Sequence, residues 1–138
     1  MNVAIAGTRP LLYAAAAFNL GAALILVPCV RMAPQVLGLD AMGASQRLYA
    51  DLAAWLIACF GLGYALAGVD FRRFWPCVAL GTVGKAGVVV LAAAYVASGA
   101  AGPLVAALAS GDAVFAVLFV RLLRRHGLVA RTVQEGQP

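Results

Sequence analysis

Residues 10–30 read PLLYAAAAFNLGAALILVPCV, a run without one charged side chain. A bilayer core of about 30 Å asks for roughly 20 apolar residues at about 1.5 Å each. This stretch is therefore a transmembrane helix, opened by Pro10 at a position where a first turn tolerates proline and stopped before Arg31 and Pro34. The run is continuous from residue 10 and has proline beside Cys29, so it reads as a retained helix and not as a cleaved signal or lipoprotein peptide.

Working outward, the same test finds three more spans. Residues 31–46 form a connection broken by Gly38, Asp40 and Gly43, with Ser45 as the expected cap of a helix over 47–69 that is uncharged from Leu52 onward. Asp70-Phe71-Arg72-Arg73-Phe74-Trp75-Pro76 reads as a short hairpin linker held at the interface. A third helix is predicted over 76–98 with one charge, Lys85, and a fourth over 104–125 with one, Asp112. Between them lies the uncharged connection Gly99-Ala100-Ala101-Gly102-Pro103, and residues 126–138 read as a polar tail, frayed from Arg131 to Pro138. The expected fold is an all-α membrane protein: a four-transmembrane-helix antiparallel bundle forming one domain over 1–138.

Composition agrees with that reading. Of 138 residues, 64% are hydrophobic and 11% charged, with a mean hydropathy of +0.97, against roughly 25% charged in ordinary soluble domains. Lipid must cover much of this surface. The net charge of +5 does not indicate nucleic acid, because the cations sit at the ends of apolar runs rather than along a basic stripe. With both termini inside, Arg9, Arg72, Arg73, Arg121, Arg124, Arg125 and Arg131 share the inner side, and Arg31 and Arg47 the outer. Seven against two favours an N-in/C-in topology with cytoplasmic termini. The Arg121, Arg124, Arg125 run reads as topology and contact with anionic lipid. Tyr13, Trp75 and Tyr95 fall near expected interfaces, while Trp55 and Tyr64 are expected deeper.

Three polar residues sit where polarity is expensive. Lys85 lies about nine residues into helix three, Asp112 about eight into helix four and Asn19 nine into helix one, so all three share mid-bilayer depth. An isolated charge there costs at least about 2.5–3.5 kcal/mol, so a cation and an anion at one height on consecutive helices should pair. Lys85 shares its face with Gly81, Thr82, Val88 and Val89, and Asn19 its face with Ala15, Ala16, Ala22 and Ala23; Gly61, Gly63, Ala65 and Ala67 give helix two equally small neighbours. The candidate ligand-binding set is Asn19, Lys85, Asp112, Thr82, Trp55 and Tyr64, with Asp112 and Lys85 as catalytic candidates.

Other chemistry is not supported. Gly81-Thr82-Val83-Gly84-Lys85-Ala86-Gly87 has Ala79 and Ala86 where a phosphate loop needs glycine and a hydroxyl residue. Cys29, Cys59 and Cys77 form no C-x-x-C pair and read as buried small apolar residues. His126 reads as a solvated or headgroup contact, so no metal site and no cofactor are expected.

Phe18-Asn19-Leu20-Gly21, Gly61-Leu62-Gly63-Tyr64, Asp70 to Pro76, Gly84-Lys85 and Gly111-Asp112 together make the chain resemble small bacterial four-helix membrane proteins of a DoxX-like kind, over most of residues 9–125. The Asp-x-x-Arg-x-Trp-Pro hairpin followed by Gly-Lys is the most specific part. The resemblance implies the bacterial inner (plasma) membrane and an accessory, quinone-facing role in an oxidoreductase or sulfur-metabolism system, with a homodimer or a membrane complex as partner. The lack of a redox cysteine pair departs from direct thiol chemistry. Three functions remain open: an accessory or lipidic-ligand subunit, a membrane-embedded enzyme using Asp112 and Lys85 as acid and base on a lipophilic substrate, and a small proton-linked transporter.

Overall fold

A computed structural model describes the backbone of residues 7–135 and the side chains of residues 7–127. Among these residues the chain is all helical: α1 (Thr8–Met32), a 3-10 turn (Pro34–Leu37), α2 (Ala44–Val69), α3 (Phe71–Ala97) and α4 (Pro103–Glu135). All four α-helices are long and apolar enough to cross a membrane, α4 over Pro103–Gly127. They form a four-helix bundle in which α1 packs along α2 and α3 along α4 most extensively.

The boundaries differ from expectation for local reasons. Ser45 is not the cap of α2: the helix begins at Ala44, capped by Gly43, whose backbone N–H donates to Gln46 Oε1 at 2.7 Å, while Arg47 Nε donates to Met42 O at 3.0 Å. Nor is 70–76 a linker. Asp70 alone joins α2 to α3, and its Oδ1 accepts from Arg73 N–H at 3.2 Å as the cap of a helix that starts at Phe71. Pro76 then falls inside α3, where the carbonyl it leaves without a helical donor belongs to Arg72, an exposed residue at the helix end. The expected tail is helix as far as Glu135, so α4 has 33 residues, about 50 Å of length; residues 136–138 lie outside the described part.

The two connections at the other end of the bundle lock together. Gly38 has a positive φ of 68°, and a Cβ there would lie 2.4 Å from Gly102 N. Gly102 N–H donates to Leu37 O at 3.0 Å, with the Leu37 side chain buried beneath. Close by, Arg31 at the end of α1 pairs with Asp51 of α2 at 2.6 Å, largely in the open.

Exposed aromatic residues mark both ends. Trp75 and Tyr95 stand twenty residues apart on α3, about 30 Å and the thickness of a hydrocarbon core. Trp55 is 69% exposed and stands two residues before Ile57, whose carbonyl accepts from Asn19, so it lies at mid-span depth as expected but faces out from the bundle. Cys59 is exposed and Cys29 and Cys77 are half-buried, so the thiols are not sealed core residues. His126 is no isolated surface group: its ring meets Phe71 edge-on at 5.0 Å and lies 6.5 Å from Trp75.

Between the ends, Leu12, Ala15, Ala16, Tyr64, Ala67, Val78 and Phe119 form the apolar core in the half nearer Asp70. The opposite half is packed with smaller residues, Ala23, Ala54, Ala92 and Ala109.

Candidate functional site

Lys85 is ten residues from Trp75 and ten from Tyr95, so its depth is the middle of the span that those two rings define. The side chain is 5% exposed. Its ammonium donates to Asp112 Oδ1 from α4 and to Asn19 Oδ1 from α1 at 2.8 Å. The sequence-expected pair therefore forms, and three helices meet at one nitrogen. Asn19 completes the junction by donating from Nδ2 to the backbone carbonyl of Ile57 on α2 at 3.2 Å, so the fourth helix is tied in as well.

Glycines set the spacing that these bonds require. A Cβ on Gly61 would lie 3.0 Å from Leu20 Cγ, 3.3 Å from Ala16 O and 3.3 Å from Asn19 Cβ. The missing side chain lets α1 approach α2 closely enough for Asn19 to reach the Ile57 carbonyl. A Cβ on Gly81, one turn before Lys85, would fall 2.1 Å from Tyr64 Oη, so the phenol lies across bare α3 backbone. A Cβ on Gly111 would fall 2.6 Å from Phe18 Cζ, which places the Phe18 ring over the backbone beside Asp112.

Aromatic faces close the remaining directions around the ammonium. Lys85 Nζ lies 5.2 Å from the centroid of Phe18, 5.4 Å from Phe115 and 5.6 Å from Tyr64, all within the range of cation–π attraction. The rings also support one another: Phe18 and Phe115 are 5.3 Å apart, and Tyr64 meets Phe119 edge-on at 5.0 Å. Lys85 is thus held by one anion, one amide oxygen and three rings. Among the described residues, no fully buried side-chain nitrogen or oxygen lacks a hydrogen-bond partner.

Of the six candidate ligand-binding residues, the structure gathers Asn19, Lys85, Asp112 and Tyr64. Thr82 is adjacent, but its hydroxyl is used within α3, donating to Val78 O at 2.7 Å. Trp55 faces outward, away from the Lys85 centre. Phe18 and Phe115 were not among the expected site residues. Phe115 stands three residues after Asp112, a helical neighbour that spacing alone reveals; Phe18 adjoins Asn19 in sequence but reaches the site across the α1/α4 seam, which no spacing rule indicates.

Chemically the centre is a neutral unit, one cation and one anion, that a low-dielectric setting strengthens. Its asymmetry lies in Asp112, whose side chain is 18% exposed against 5% for Lys85. No family model, no curated protein and no solved structure matches the chain.

Proposed function

We propose that this chain is an accessory multi-pass subunit of the bacterial inner membrane, whose Lys85–Asp112–Asn19 centre fixes the register of four helices. The observation that carries this reading is the saturation of Lys85: its ammonium is held by Asp112, Asn19 and three aromatic faces. A lysine so enclosed is a fastener more than a proton carrier. The resemblance to DoxX-like proteins supports a place beside a membrane oxidoreductase, with a quinone-like lipid or a second membrane chain as partner. The excess of arginine at the Asp70 end supports a cytoplasmic position for that end and for both termini.

The test is the charge swap, Lys85→Asp with Asp112→Lys. Asn19 carries both a donor and an acceptor, so its amide can turn over and serve either order. A fastener survives the swap near wild-type stability, while each single change is destabilised. Single variants as stable as wild type would contradict the proposal, and so would a protein-dependent proton flux in vesicles that the swap abolishes. For topology, a Ser98→Cys variant should react with an impermeant maleimide in intact cells and a Gly127→Cys variant only after lysis; the reverse pattern would invert the orientation.

A further inference from the structure

The second carboxylate oxygen of Asp112 is a polar atom that the centre leaves unused. Oδ1 is taken by Lys85, and Oδ2 has no partner among the described residues. Since no fully buried polar atom there lacks one, Oδ2 belongs to the exposed part of the side chain. Asp112 belongs to α4, the least covered of the four helices, at a depth where the bilayer offers no donor. An acceptor facing hydrocarbon unpaired costs free energy that a bound donor would recover.

Resting on the reading of the centre given above, we infer that Asp112 forms the inner end of a lateral binding site for a neutral, membrane-soluble hydroxyl compound, a phenol or alcohol with an apolar body. The charge balance selects that class. Lys85 and Asp112 already cancel, so a cationic ligand would leave an uncompensated charge at mid-bilayer. A ketone, an oxidised quinone included, or an ether brings no donor to a carboxylate oxygen, which only accepts, so of a quinone-like lipid only the reduced, hydroxyl-bearing form would fit. A neutral hydroxyl satisfies both conditions, and its apolar body remains in lipid.

Phe18 is the flap. Its ring sits over Gly111, immediately before Asp112, in a space that a single methyl group would occupy. It fills the α1/α4 seam against Phe115, and a side-chain rotation would move it without breaking a hydrogen bond, giving up its face toward the Lys85 ammonium.

The test uses the full chain in detergent micelles with 4-hexylphenol and its methyl ether, 4-hexylanisole, read by native mass spectrometry and by the thermal unfolding midpoint. Wild type should retain the phenol and gain thermal stability with it, and should bind the ether at least about tenfold more weakly, the loss expected for one hydrogen bond. Asp112→Asn should lose about the same factor for the phenol. Gly111→Ala leaves every polar group in place and displaces Phe18, so it should change the phenol's association rate while preserving its preference over the ether. Equal binding of phenol and ether by wild type, no binding of either, or unchanged phenol affinity in folded Asp112→Asn would overturn the inference. Ligand-free stability of the same Asp112→Asn protein separately reports the fastening role, so the two readings fail independently.

Discussion

Among the described residues the chain contains two ion pairs of the same formal kind, and they differ in nearly everything that decides what an ion pair does. Arg31 and Asp51 meet at 2.6 Å with side chains 52% and 38% exposed, next to the locked connections at one end of the bundle. Lys85 and Asp112 meet at mid-span with side chains 5% and 18% exposed, beneath three aromatic rings and an asparagine. Water and ions compete for the first pair and have little access to the second. A short distance is therefore a poor measure of importance. The buried pair is committed because each partner, left alone, is an uncompensated charge in hydrocarbon.

The largest expected effect comes from removing one side of the buried pair. Asp112→Ala should lower stability by about 3–5 kcal/mol, the usual cost of stranding a buried charge, as measured by unfolding in increasing SDS within mixed micelles. Asn19→Ala removes the bonds to Lys85 and to the Ile57 carbonyl but leaves the salt bridge, so a smaller loss of about 1–3 kcal/mol is expected in the same assay. Phe115→Leu keeps apolar bulk and deletes one ring face, which should cost about 1 kcal/mol. The exposed pair gives the smallest effect. Asp51→Asn should change stability by about 0–1 kcal/mol, shrinking further in high salt. A salt-insensitive loss at position 51 as large as that at 112 would erase the distinction between the two regions.

The fold was legible because a helix in lipid must satisfy its own backbone and present roughly 20 apolar residues. Those rules place four spans and set Asn19, Lys85 and Asp112 at one depth before any packing is known. Helix ends were less legible. Asp70 followed by arginines and a Trp-Pro pair looks like a linker, yet Asp70 is a sufficient cap to begin α3 at once. Ser45 looked like the better cap for α2, but Gln46 serves Gly43 instead.

In the site, charge and depth revealed the pair, whereas lateral direction did not follow from depth. Trp55 and Tyr64 are both aromatic residues of α2, yet Tyr64 is 1% exposed beneath Lys85 while Trp55 faces outward. Gly61, Gly81 and Gly111 explain why the centre closes, and their role depends on which neighbour lies opposite, information that a single chain of letters does not carry. The contribution of Phe18 is of the same kind.

The central claim is that Lys85 and Asp112 act as one structural unit, and a double-mutant cycle addresses it most directly. Lys85→Met, Asp112→Leu and the double variant would be compared with wild type by reversible unfolding in mixed micelles. Each single change should destabilise by about 3–5 kcal/mol, while the double variant, with no charge left to strand, should lie within about 2 kcal/mol of wild type. Single losses that simply add in the double variant would mean that the two residues contribute separately, and the fastener reading would fall.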